Sequence, residues 1–338
     1  MTRGSGVDRR RACLAGWLLG FLFSWNAHAQ STQFMFDGLG SADSPAAEIR
    51  RVMADRLTRL SAGRLRAVPK ADSTFRSEQA LVDAVLRNEI QVSVVSDSTL
   101  VRHVPSWAAL RMPFLFDPAE GVSRTYERCM RVPLERAFHG LGLELLGRVD
   151  SGWIDFYSTQ PFGRISDLQA ATLRQPLHPV SRRYLQLAGV TLREVPYNAI
   201  APSLESRAIF GGEFTLLELA SLADTRPIRH VLLTRHALST GAVIANRSWV
   251  QSLTATQRRL LGKAFADAEV FARVTEHYRA AFLDRAAGVG IEVRKPSTAE
   301  ASQWRDALRS TWPELTRELS LEAQAALACA ARSGARAE

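Results

Sequence analysis

Beyond residue 30, apolar positions follow two periods that take turns along the chain. After Ser44-Pro45, a capping serine followed by a proline suited to the first helical position, Ile49, Val52, Met53, Leu57 and Leu60 recur at helical spacing until Gly63. Residues 33–37 before this helix read as a short strand, and residues 64–68 after it alternate polar and apolar as a second strand does. Ser77 caps a further helix carrying Leu81, Val82, Val85 and Leu86, and 90–95 follows as a buried strand. This β-α-β-α-β opening predicts an α/β protein with parallel strands. The aromatic stretch 105–118, bounded by prolines, breaks the rhythm and is expected to pack as irregular chain between lobes. Helix is then expected at 119–139, strands at 143–149 and 153–158, and a tight turn at 163–167. A strand entered at Ala171 ends where Pro176 removes a donor. Helix 180–188, strand 191–195 and strands 229–235 and 240–246 come next, followed by helix 255–287, strand 291–294 and helices from 298 to 331.

The helical run 255–287 is the longest, about 45–50 Å at 1.5 Å per residue, more than one lobe of this size is wide. It is expected to bridge two lobes; the alternative is two helices with a kink, although no Pro or Gly lies between 263 and 287. The expected division is a first lobe over 30–150, to which segments around 240–290 return, and a second over 151–240. A bridging helix within 250–290 and a closing strand and helices over 291–338 packed across both lobes complete the chain.

The first 29 residues read differently. Arg3, Arg9, Arg10 and Arg11 precede the apolar stretch 12–25, which is too short to cross a bilayer comfortably and closes on Ala27-His28-Ala29. This is the pattern of a cleavable export signal with the cut before Gln30, the alternative being an uncleaved anchor that leaves the same domain facing outward. Removing the leader leaves about 309 residues, enough for two lobes with cores of their own. The formal charge of +9 falls to about +6, because the leader holds four Arg and one Asp. With only three lysines, the positive charge is almost all arginine and spread along helical segments, so no nucleic-acid face is expected.

Cys13 leaves with the leader; Cys129 and Cys329 can form a bridge in an oxidising compartment or remain buried thiols. The seven histidines make no metal pattern, and no cofactor is expected. The chain has no Gly-x-Ser-x-Gly elbow, His-Glu-x-x-His pair or phosphate-cradling glycine loop, which leaves an exported hydrolase without a visible nucleophile, zinc or nucleotide site.

Several segments in fixed order carry a resemblance. Ser61-Ala62-Gly63-Arg64-Leu65 ends the first helix, and Arg111-Met112-Pro113-Phe114-Leu115-Phe116 follows the third strand. Gly152 opens a strand, Asp167-Leu168 turns into Thr172-Leu173-Arg174-Gln175-Pro176, and Val243-Ile244-Ala245-Asn246 leads into the long helix and Gly290-Ile291-Glu292-Val293. Over nearly the whole exported chain this resembles the solute-binding subunits of tripartite ATP-independent periplasmic (TRAP) transporters, the DctP family. The resemblance implies a two-lobe periplasmic-binding-protein fold, type II-like, in which a cleft between α/β lobes binds a small organic acid without catalysis. It also implies a periplasmic location, a membrane permease of small and large subunits as partner, and a monomer. Position assigns Arg174 as the arginine that grips a carboxylate through two parallel charge-assisted hydrogen bonds.

The departures matter as much. A second arginine is replaced by Ile154, and the family's Asp-Gly-x-Glu-Asn appears as Phe210-Gly211-Gly212-Glu213-Phe214, with phenylalanines where Asp and Asn stand. The expected site is Arg174, Tyr197, Glu213 and Phe214, with Ser96, Asp97 and Asp37 at strand ends where loops face the cleft or simply turn. Trp153 and Phe156, aromatics at strand spacing, are assigned to the core. One arginine beside two phenylalanines implies a monocarboxylate with an apolar or aromatic body. The rival reading within the same fold is a binding protein that feeds a membrane sensor instead of a permease.

Overall fold

The computed structural model describes residues 31–334 except 41, 70–72, 74, 119–121 and 267, with the backbone alone for 268–270, 333 and 334. The expected leader and its cleavage point lie outside the described residues. Nine strands make one mixed sheet: β1 Thr32–Asp37, β2 Leu65–Pro69, β3 Val92–Ser96, β4 Leu143–Ser158, β5 Thr172–Arg174, β6 Thr191–Arg193, β7 Gly211–Thr215, β8 His230–Asn246 and β9 Glu292–Arg294. Their order is β2-β1-β3-β8-β4-β7-β5-β6, with β9 beside the first residues of β8.

The parallel pairs expected from the alternating pattern are present: β1 lies parallel to β2 and β3 at one end, and β5 parallel to β6 and β7 at the other. Between them run two long antiparallel strands, β4 of 16 residues and β8 of 17. The sequence pattern divided each of these into two strands, but both are continuous and belong to both ends of the sheet. Their ladder is irregular in the middle, with register shifts between Asp150 and Gly152 and between Ile154 and Phe156. Gly152 has φ +122 and Arg235 has φ +47, so the turn of each chain in left-handed backbone space coincides with these interruptions.

The first helix runs Pro45–Leu60, Ser44 Oγ accepting the Ala47 N–H, and buries Ile49, Met53 and Leu57 as its spacing requires. The expected helix 255–287 is corrected to two, Ala255–Phe265 and Ala268–Gly288. The cause lies in another part of the chain. A Cβ on Gly147 of β4 would stand 2.2 Å from the Phe265 carbonyl oxygen and 2.9 Å from Ala266 Cα, so the helix ends where its backbone rests on the strand. The second helix spans about 32 Å by itself and still bridges, packing on Pro45–Leu60 at one end and on Leu216–Ala220 and β9 at the other.

The stretch expected to be irregular contains a 3₁₀ helix, Pro105–Arg111. Trp107 within it is fully buried, meets Phe138 edge to face and donates from Nε1 to Thr240 Oγ1 at 3.0 Å. The β7 strand is an addition to the expected list. Glycine pairs are uncommon inside strands, but Cβ atoms on Gly211 and Gly212 would meet the Tyr157 carbonyl at 2.0 Å and the Tyr157 hydroxyl at 2.7 Å. Of the two possibilities for the cysteines, the bridge is present: Cys129 and Cys329 are disulfide-bonded and tie helix Leu321–Gly334 to helix Ser123–Cys129. Among the described residues, no helix is long and apolar enough to cross a membrane.

Candidate functional site

Strands β1, β3, β5 and β7 deliver their carboxyl ends, and the helices that follow them, to the middle of the sheet, the usual place for a ligand in an open α/β arrangement. A cavity of about 360 Å³ opens there. Its walls come from Ser44, Pro45 and Ala46 at the first helix, from Ser96 and Asp97 after β3, and from Arg174, Glu213 and Phe214 on β5 and β7. Ile154 of β4 and Ser239 and Thr240 of β8 close it from the long strands. Six of the seven expected residues, Ser96, Asp97, Arg174, Tyr197, Glu213 and Phe214, therefore line one cavity. Asp37 does not line it; it is fully buried, accepts the Gly38 N–H at 2.7 Å and faces the buried Arg50.

Arg174 is 5% exposed and its Nε donates to the Val195 carbonyl at 3.0 Å, which fixes the guanidinium plane. The Phe214 ring lies 5.1 Å from the guanidinium carbon, and Phe214 itself stacks on Tyr157 and tilts against Tyr197. The phenylalanine at the family's asparagine position thus supports the arginine through its π face as well as forming wall. Among the described residues, Arg174 has no carboxylate partner. Tyr197 is 45% exposed at the mouth and donates to the Glu218 carbonyl.

Of the other charged groups, Asp97 and Glu213 have partners in the wall, while Glu218, also on the cavity, accepts from the Thr215 N–H and hydroxyl and is pushed up by burial. Arg111 Nη2 donates to Asp97 Oδ2 at 2.6 Å, and the same oxygen accepts the Thr240 N–H at 3.0 Å. Burial opposes ionisation of Asp97, but Arg111 and the Thr240 N–H outweigh it and hold the carboxyl below its ordinary value. Glu213 Oε2 accepts from the Tyr184 hydroxyl at 2.7 Å and lies 3.2 Å from His236 Nε2. Burial is again the largest influence, and His236 and Arg111 again overcome it, so Glu213 stays below the usual range. Ser181 and Ser239 extend the network to Arg111. Ser96 is held by Glu78, which accepts both its N–H and its hydroxyl.

Arg111, Tyr184 and His236 were absent from the expected site. The signal for Arg111 was available: a single arginine inside Trp107–Phe116, whose other residues are all apolar, has to find a partner when that stretch is buried. Tyr184 and His236 carry no such mark.

Alternation along β4 puts Ile154 on this cavity and Trp153 and Asp155 on a second one of about 460 Å³; Trp153 packs against the core and also lines that second wall, and Phe156 is core. Asp155 is 3% exposed, and its Oδ1 accepts the N–H of Arg235 at 2.8 Å, pinning the left-handed turn of β8. Burial pushes its carboxyl up to about 7, against the opposing pull of Arg235. The unfolded carboxyl loses its proton near pH ~4. The folded one keeps it until about pH 7, so stability falls as pH rises across that window, by about 1.4 kcal/mol per unit at most. Asp155→Asn keeps an acceptor for Arg235 and has nothing to titrate. Its melting temperature is expected to gain on the wild type from pH 5 to 7.5; parallel curves would refute this.

Among the described residues, no cluster of three or more His, Cys, Asp or Glu side chains could hold a metal ion. The family model for bacterial extracellular solute-binding protein, family 7, matches residues 38–319. The 2,3-diketo-L-gulonate-binding periplasmic protein YiaO of Escherichia coli is 22% identical over 267 residues, 78% of this chain and 81% of that one. The C4-dicarboxylate-binding periplasmic protein DctP of Shewanella loihica is 20% identical over 300 residues, covering 86% and 87%. The fold matches the apo open crystal structure of a TRAP periplasmic solute-binding protein from Marinobacter aquaeolei with a TM-score of 0.80 at 19% identity, over 88% of this chain and 99% of that one.

Proposed function

We propose, from the premise that this chain belongs to bacterial extracellular solute-binding protein family 7, that it captures a small organic acid between its lobes with the carboxylate on Arg174. The family is one of binding proteins and not of enzymes, and the chain is a divergent member with the two-lobe TRAP receptor fold. In this reading the protein works in the periplasm as a monomer and hands its ligand to a permease of small and large subunits. In this reading the lobes also divide near residues 150 and 240, positions that fall within the two long strands.

The observation that carries the reading is the charge balance of the cavity. Asp97 is satisfied by Arg111, Glu213 by Tyr184 and His236, and Glu218 by Thr215 with burial holding its proton more firmly, while the cavity arginine Arg174 has no carboxylate partner among the described residues. One unmatched cation in a buried wall fits one carboxylate, and a second would meet Asp97 and Glu213 with no cation to spare. Ile154, Pro176, Tyr197 and Phe214 then supply the surface against which an apolar body rests. The acid-binding names of the relatives from Escherichia coli and Shewanella loihica support the carboxylate class.

A thermal-shift screen tests this with aliphatic and aromatic monocarboxylates, dicarboxylates and sugar acids. A ligand at 100 times its dissociation constant adds about 2.7 kcal/mol to the folded state. The expected shifts come from monocarboxylates. Shifts from dicarboxylates or sugar acids alone would overturn the apolar-body assignment, and no shift from any acid would overturn capture itself.

A further inference from the structure

We propose that His178 and Arg111 together hold a second oxygen of the ligand, a keto or hydroxyl group separate from the carboxylate on Arg174. The inference rests on the organic-acid reading above and narrows the substrate class to oxygenated monocarboxylic acids.

His178 caps the helix Pro179–Leu187 directly after β5, is 3% exposed and lines the same cavity as Arg174. Its Nδ1 accepts the Val180 N–H at 3.2 Å, so that nitrogen carries no proton. Burial first, with Arg111 adding to it, lowers the ring to about 3, so it is neutral at any working pH. A neutral imidazole with a bare Nδ1 has its proton on Nε2. That Nε2–H is buried and has no partner among the described residues.

The neighbouring wall has the same property. Arg111 spends its terminal nitrogens on Asp97, Ser181 and Ser239, but its buried Nε–H has no partner either. Buried N–H groups left unmatched cost about 1–3 kcal/mol each. Both are donors and both belong to residues lining one cavity, so the missing group is an acceptor. A carboxylate there would crowd Asp97 and Glu213, whereas a neutral keto or hydroxyl oxygen accepts without adding charge. An alkyl chain at the same place would leave both donors dry, which rejects acids lacking the oxygen.

The test is calorimetric titration with two matched sets: 3-phenylpropanoate against its 2-hydroxy and 2-oxo forms, and 4-methylpentanoate against its 2-hydroxy and 2-oxo forms. The wild type is expected to favour an oxygenated member over its bare acid by roughly 10- to 100-fold. In His178→Phe the preference should fall to about threefold or less, and His178→Gln, which keeps an N–H donor, should retain part of it. Because His178 also caps a helix, nitrogen-15 spectra of the wild-type ring give an independent readout. They should show the Nε2–H tautomer, with its proton resonance moving on addition of an oxygenated acid and staying still with a bare one. Equal affinity for both kinds of acid, with the resonance unmoved, would mean that water satisfies these donors and would overturn the inference while leaving acid capture intact. Failure of every acid to bind the wild type would instead remove the organic-acid reading, and this inference with it.

Discussion

Arg174→Ala is expected to weaken binding of a monocarboxylate by roughly 30- to 3,000-fold, the equivalent of about 2–5 kcal/mol, measured by calorimetric titration. The size follows from the setting. The guanidinium is almost fully buried, oriented by the Val195 carbonyl and backed by the Phe214 ring, so its donors meet a ligand with little left to organise. Removing it leaves the ligand carboxylate in a wall whose remaining arginine, Arg111, is committed to Asp97. Arg174→Lys restores the charge but not the planar fork, and its affinity should fall between the two. Unchanged affinity in the alanine variant, with its fold intact by circular dichroism, would take Arg174 out of the site.

Opening the disulfide is the second large effect. Cys129 and Cys329 are 200 residues apart in sequence, and their bridge closes most of the chain into a loop. A native cross-link of this kind contributes about 2–5 kcal/mol, chiefly by limiting the unfolded chain. Cys129→Ala with Cys329→Ala should therefore lower the urea unfolding free energy by that amount. Neither cysteine lines the ligand cavity, so affinity for acids should be unaltered. Equal stability with and without the bridge would show that the helix Leu321–Gly334 is held by packing alone.

The local elements were written clearly in the sequence. Ser44-Pro45 and Ser77 start helices where the capping chemistry says, and the apolar spacing of 49–60 buries the face it marks. Arg174 stands at the end of a strand in the cavity wall, as its place before Pro176 suggested. What the sequence concealed depends on contacts made elsewhere. Nothing near Ala266 marks a break, because the cause is the missing side chain of Gly147. Nothing in Gly211-Gly212 marks a strand, because the requirement for glycine comes from Tyr157. The continuity of β4 and β8 was hidden by polar residues in their middles, which the pattern of alternation reads as connections. His178 stood alone in sequence and looked like any isolated histidine; its interest lies in a backbone N–H two residues on and in an unmatched nitrogen, neither of which a residue list displays.

The two long strands bear on how such a receptor moves. Because β4 and β8 run unbroken from one half of the molecule to the other, the halves share a spine and cannot drift as bodies on slack cords. A change of angle between them has to be taken up as torsion in a two-stranded ribbon, concentrated where Gly152 and Arg235 already depart from the regular ladder. Such a ribbon acts as a spring: its rest angle sets how far apart the jaws stand when empty, and its stiffness sets how much of the ligand's grip is spent in drawing them together. In the proposed reading, affinity is then governed in part by residues that never touch the guest.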